Sequence, residues 1–228
     1  MPPNTRNSIL TLLAAAVFAA PGLCAADLSS YRTFQLGMDL SAAQKQCAPD
    51  AAEVKTIHSR PALIQDLEWR PSGSSVRSAE SDPVKYVLLS FHNGKLFRMV
   101  ANYDRYKTEG MTDEDMIEAI SVMYGPASRP AAQILFPSVL SENVKVIARW
   151  EDSEHSLNLV LSPYQPSFAL VSFSKRLGAL AQTATAEAIR LDAQEAPQRD
   201  AEDKRRQAGQ ARATQEKARM TNKPGFRP

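Results

Sequence analysis

An α+β fold is predicted by three features of the chain: an Asn93-Gly94 hairpin signature, a capped amphipathic helix that stops at Gly125-Pro126, and three alternating apolar runs after it. Together they give the order helix, three strands, helix, three strands. The expected architecture is two αβββ units whose antiparallel sheet packs on helices, followed by a helical or disordered C-terminal tail. The expected division is a signal peptide at 1–26, a core at 27–174 with units of about 31–106 and 107–174, and a tail at 175–228.

The first residues read as an export signal. Arg6 gives a positive start, Ile9 to Ala20 is an apolar run broken only by Thr11, and Cys24-Ala25-Ala26 supplies small residues at the exit. The run is shorter than the roughly 20 residues needed to span a bilayer. Cleavage after Ala26 or Ala25 is expected. Leu23 before Cys24 is bulky and Pro21 stands where a lipoprotein signal has an aliphatic residue, so lipidation is not expected. Cys47 is then alone in the exported chain. It forms no intrachain disulfide and is either a buried small hydrophobe or an intermolecular partner.

Ser41 to about Cys47 reads as a short helix, with Ser41 and Gln44 at capping-box spacing, and Pro49 to Val54 as a further helical turn. Ala62 to Trp69 is a strand between Pro61 and Pro71, and Ser72 to Ser81 a polar loop. Val84 to Phe91 and Leu96 to Tyr103 flank Asn93-Gly94, which suits the two positive-φ positions of a type I′ turn. Direct pairing across that turn sets Leu88 opposite Met99, Tyr86 opposite Ala101 and Val84 opposite Tyr103.

Thr112 caps the next helix, and Asp113, Glu114 and Asp115 place negative charge where the helix dipole favours it. Met116, Ile117, Ile120, Met123 and Tyr124 make one apolar stripe. A Pro-rich connector from Ala127 to about Ser141 leads to strands at Val144–Trp150, Leu157–Leu161 and Phe168–Phe173. From Lys175 onward Leu177, Leu180, Ala184, Ala188 and Leu191 form a weak helical stripe that Pro197 is expected to interrupt. The charged Ala/Gln-rich remainder lacks periodic large hydrophobes and is a solvated helix, of coiled-coil type, or a disordered tail.

Gly37-Met38-Asp39 and Gly110-Met111-Thr112 each open a helix, a pattern-level repeat. Two such helix-plus-sheet units, above all Gly110-Met111-Thr112 through Gly125-Pro126, resemble the fold group of the β-lactamase inhibitor protein and the small lipoprotein of the outer-membrane assembly machinery. The resemblance covers about Phe34 to Phe173. It implies a layered sheet with helices on one face that works by protein–protein contact. The chain departs from the group in having no credible lipidated cysteine and no cysteine pair for the inhibitor's disulfides, and no contact residue carries over.

His58, His92 and His155 are the only histidines, and none has a partner at metal-site spacing. Gly-x-Ser-x-Gly elbows and glycine-rich phosphate loops are absent from the sequence. No cofactor or metal is expected. The net charge of +2 gives no global case for nucleic acid, and no second apolar segment is long enough for a membrane span. Tyr103, Tyr106 and Tyr124 with Arg105 and Lys107 suit either a binding surface or a core seam, and Trp69 beside Arg70 and Trp150 beside Arg149 face the same choice. The candidate interaction surface is Trp69, Arg70, Tyr106, Arg149 and Trp150. Lys204-Arg205-Arg206 could touch an anionic envelope surface, though Asp200, Glu202 and Asp203 lie beside it.

The expectation is a periplasmic or secreted, non-enzymatic binding protein of the cell envelope with a protein partner as yet unknown. The alternative is a secreted hydrolase in which Asp66, Glu68, Glu151 and Asp152 converge from strand ends as an acid–base pair.

Overall fold

The computed structural model describes residues 27–48, 53–71, 82–130, 145–161, 167–225 and 227. The expected signal at 1–26, the helical turn from Pro49, the loop from Ser72 and most of the Pro-rich connector lie outside them. The described chain is α+β and is organised around one antiparallel sheet of seven strands.

The chain begins with a two-residue hairpin, β1 (Ser30–Tyr31) and β2 (Phe34–Gln35), turned at Arg32 with φ 56°. Helix α1 (Leu40–Cys47) follows. It starts one residue earlier than Ser41 would place it, with Asp39 as N-cap and no side-chain cap bond, so the Ser41/Gln44 box is not used. Backbone pairing sets its entry instead. The Gly37 N–H donates to the Leu96 carbonyl (2.7 Å), the Leu96 N–H to the Met38 carbonyl (2.8 Å) and the Leu40 N–H to the Gly94 carbonyl (2.9 Å). The Asp39 carboxylate pairs with Lys95 at 2.8 Å. Ala43 and Cys47, one turn apart, are the buried face. Burial pushes the Cys47 thiol up to about 11, as befits a packing residue rather than a nucleophile.

The strands are β3 (Lys55–His58), β4 (Ile64–Trp69), β5 (Val84–His92), β6 (Lys95–Tyr103), β7 (Lys145–Glu151), β8 (His155–Leu161) and β9 (Phe168–Ser174), in the spatial order β3-β4-β5-β6-β9-β8-β7. The first unit therefore has four strands rather than three. The added β3 is a short, solvent-exposed edge with no apolar alternation to announce it.

At the β5–β6 turn Asn93 and Gly94 take φ 48° and 77°. Between two bulges the register is one residue off the predicted one. Phe97 is passed over, so Leu89 faces Met99, Leu88 faces Val100 and Val87 faces Ala101; passing over Lys85 restores the register, and Val84 faces Tyr103 as predicted. The bulge at Phe97 puts Val87, Leu89, Phe91, Leu96, Met99 and Ala101 together on the main core. It also moves Leu88 and Val100 to the opposite face.

Helix α2 (Asp113–Tyr124) has a full capping box. Thr112 Oγ1 accepts from the Asp115 N–H, and the Asp115 carboxylate accepts from the Thr112 N–H at 2.8 Å. Met116 and Ile120 are buried, while Ile117 and Tyr124 pack at the margin. Met123 is 64% exposed and does not belong to the stripe. It lies three residues from Ile120, but the helix ends one residue later and no strand covers it. Helices α1 and α2 and the N-terminal hairpin share one face of the sheet in a single core that includes Leu67, Ile147, Trp150, Leu157, Leu159 and Leu170.

The tail is one helix, α3 (Lys175–Asn222), capped by Ser174 and closed by a short 3₁₀ turn. Pro197 does not interrupt it. The carbonyl that Pro197 leaves without its helical partner belongs to Ala193, an exposed residue that solvent reaches. The first turns of α3 cross the second face of the sheet, with Leu177 and Ala181 against Ile64 and Phe97. Further along, Arg60 bridges to Glu195 (2.8 Å), and Arg199 ties Asp192 to Glu195. From Ala196 to Gly225 every residue is exposed.

Candidate functional site

The loop between β6 and α2, residues 104–112, is short and heavily self-bonded. The Asp104 carboxylate accepts the Tyr106 N–H at 2.9 Å, and its carbonyl accepts from the backbone of Lys107 and Thr108. Thr108 is buried and accepts the Met111 N–H, and Gly110 closes the turn at φ 80°. These bonds hold two adjacent side chains outward. Tyr106 is 69% exposed. The Arg105 guanidinium lies 4.5 Å from its ring centroid and donates to its hydroxyl. A stacked Tyr–Arg pair is a rigid element that loses little side-chain freedom when a partner covers it.

Below the pair an open cleft of about 480 Å³ is lined by Arg105, Tyr106, Thr108, Met111, Leu161 and Phe168. Leu161 and Phe168 face each other where the β8–β9 pairing ends. Gly110-Met111 thus meets the end of the second unit's hairpin, as Gly37-Met38 meets the end of the first. In the first unit the backbone bonds close that junction. In the second the cleft occupies it.

The five residues of the candidate surface are not brought together. Trp69 is half-buried, edge-on to Phe34 at 5.1 Å, with the Arg32 guanidinium 5.8 Å from its ring. Arg70 is exposed and pairs with Glu68 at 2.6 Å. Trp150 is 3% exposed, and its indole N–H donates to the Gly125 carbonyl. Arg149, next to it, points to the other face of the sheet and donates to Asn158 Oδ1 at 2.8 Å. Four strands separate β4 from β7, which at ~4.8 Å per strand spacing is about 24 Å. Of the five, Tyr106 alone stands free at the mouth of a cleft.

The carboxylates suggested as an acid–base pair are divided by the same distance. Asp66 and Glu68 are on β4, Glu151 and Asp152 at the end of β7 on the far edge. Glu151 pairs with Lys175 at 3.2 Å. Asp152 is a turn residue. Burial opposes its charge, but the N–H groups of His155 and Glu154 outweigh it and hold its carboxyl below the usual range. His58, His92 and His155 lie on three separate strands. Among the described residues no three His, Cys, Asp or Glu side chains are grouped to hold a metal ion. Among them, too, no helix is long and apolar enough to cross a membrane.

Arg105 and Tyr106 were visible in the sequence as a cation beside an aromatic residue. The cleft was not, because Leu161 and Phe168 reach it from a different hairpin. No family model, curated protein or solved structure matches this chain.

Proposed function

We propose that this is an exported, non-enzymatic protein of the cell envelope that works by binding a protein partner at the Arg105–Tyr106 pair and the cleft beneath it. One observation carries the reading. A large aromatic side chain stands 69% exposed, held by its neighbour, over an opening lined by Met111, Leu161 and Phe168. Exposed aromatic and Arg side chains beside a recess of mixed lining, with Met111, Leu161 and Phe168 apolar and Glu109 and Asp113 acidic, are the composition of an interface hot spot. The cleft is open rather than enclosed, which suits a protruding side chain of a partner. The export signal read at 1–26 supplies the compartment, and the likeness to an inhibitor and assembly-protein fold group belongs to the same proposal.

Site-specific photo-crosslinking tests it. A benzophenone amino acid replacing Tyr106 should give a discrete protein adduct in cells, and Arg105→Ala should weaken that adduct. The same probe replacing Leu180, exposed on α3, should not give it. Identical adducts from both positions, or none at Tyr106, would rule the site out.

A further inference from the structure

The long helix is divided in charge along its length. From Lys175 to Asp203 it carries six acids and four bases. From Lys204 to Lys223 it carries seven bases and one acid, Glu216. Residues 204–228 hold eight Lys and Arg against that one acid, so in a chain of net +2 the remainder is left at −5. Arg219 pairs with Glu216 at 2.7 Å. Among the described residues Lys204, Arg205, Arg206, Arg212, Lys217 and Lys223 have no carboxylate partner, and all are exposed.

The spacing organises this charge. Arg205, Arg212 and Arg219 recur every seven residues, about 10.5 Å apart along one side of the helix, and Lys223 extends the row by one further turn. Glu216 lies in the same row between Arg212 and Arg219, Lys204 and Arg206 stand about 100° to either side of Arg205, and Lys217 lies nearer the far side. Gln207, Gln210, Thr214 and Thr221 occupy the other side and carry no charge. Met220 is the only large apolar side chain in this stretch, at 63% exposure, so the helix has no face that could bury into hydrocarbon.

We infer that the end of α3 from Lys204 onward is an electrostatic docking surface for an anionic lipid bilayer. A row of four cations interrupted by one paired acid, with further cations around the helix, suits a broad, flat field of headgroup phosphates. The absence of an apolar face makes the attachment peripheral and salt-sensitive rather than inserted. Duplex nucleic acid is the competing polyanion; the export signal read at 1–26 favours the bilayer, and binding to a DNA duplex at the same salt decides between them. The net −5 of the remaining chain is repelled by the same surface. This inference does not depend on what binds at Tyr106.

Vesicle co-sedimentation of the purified protein tests it. With about 30% phosphatidylglycerol in phosphatidylcholine the protein should sediment at low salt and be released as NaCl rises to about 200 mM. It should ignore phosphatidylcholine alone. R205Q/R212Q/R219Q, all at exposed positions, should weaken binding by about tenfold or more, with helicity by circular dichroism unchanged. Tyr106→Ala should leave binding as it was, which separates failure here from failure of the partner site. No binding to the anionic vesicles, equal binding to both vesicle types, unchanged binding by the triple variant, or tighter binding to a DNA duplex at the same salt would each overturn the proposal.

Discussion

The indole N–H of Trp150 on β7 donates to the carbonyl of Gly125, the residue that ends α2, at 2.8 Å. The bond joins a helix C-terminus to the edge strand of its own unit at a site where Trp150 is 3% exposed. Water has little access to replace it. Trp150→Phe should keep most of the packing and strand the carbonyl, at a cost of about 1–3 kcal/mol. Trp150→Ala should cost about 3–5 kcal/mol through the added cavity. Urea denaturation of both variants measures the difference, which isolates the hydrogen bond and ring remnant from the void.

Gly37 and Gly110 precede Met in the two units and take φ 87° and 80°. An added Cβ at either would meet no atom within 4 Å, so any cost of substitution is backbone strain. Gly→Ala at each should destabilise by about 1–2 kcal/mol, with Asn less costly than Ala because it tolerates left-handed backbone better. Gly209 is the control. It sits in an exposed stretch of α3 with equal room but helical backbone, and Gly209→Ala should raise helicity and stabilise α3 by up to about 1 kcal/mol. Thermal melts of the three alanine variants should therefore differ in sign.

Arg32 and Asp82 form a two-pronged ion pair, both contacts at 2.8 Å, which ties the turn of the N-terminal hairpin to the start of β5. The Arg32 guanidinium, with help from the Val84 N–H, holds the Asp82 carboxyl below its ordinary value of 3.8. A depressed carboxyl contributes stability that is fully present above the unfolded value and is lost as pH falls through the folded one. Stability should thus be flat in this respect above about pH 5 and decline as pH drops below 3.8 toward the protonation of Asp82 itself. Asp82→Asn should lower stability at neutral pH by about 1 kcal/mol and remove that part of the acid slope. Denaturation midpoints between pH 2 and pH 7 for both proteins check the sign.

What the sequence disclosed was chiefly local. Thr112 and Asp115 satisfy each other three residues apart, and Asn93-Gly94 needs only its own backbone, so α2 and the central turn could be read from short windows. The bulges at Lys85, Phe97 and Ile147 could not. Each follows from which neighbouring strand and helix the side chains must meet, and one passed-over residue exchanges the two faces of a strand. Edge strand β3 has too little apolar pattern to show itself. Pro197 misled because its cost was judged without knowing that the freed carbonyl belongs to an exposed residue. At the candidate site, the outward pair Arg105–Tyr106 was legible as residue types, while the recess beneath it required the β8–β9 hairpin to be in place. Trp150 and Arg149 adjoin in sequence, yet strand alternation sends one into the core and the other to the opposite face.

Arg98 is the element most at odds with its surroundings. It follows the Phe97 bulge and sits between Ser90 on β5 and Phe173 on β9 in the sheet register. One guanidinium nitrogen donates to Ser90 Oγ at 2.9 Å, and among the described residues its Nε has no partner. Burial lowers its proton affinity, and Asp66, two strands away on β4, offsets this only at a distance. The guanidinium carbon lies 5.6 Å from the Phe97 ring centroid. A buried cation without a bonded carboxylate contributes packing at the cost of desolvation, so an apolar side chain of similar length should serve as well. Arg98→Met should be neutral or stabilising by about 1–2 kcal/mol, whereas Arg98→Ala should destabilise through lost volume. Ser90→Ala should cost about 1 kcal/mol or more beside Arg98, because it removes the one hydrogen bond the guanidinium makes among the described residues, and nearly nothing beside Met. A double-mutant cycle by urea denaturation reads that coupling directly. A strongly destabilised Arg98→Met with no coupling to Ser90 would mean that the cation is held by something other than this bond.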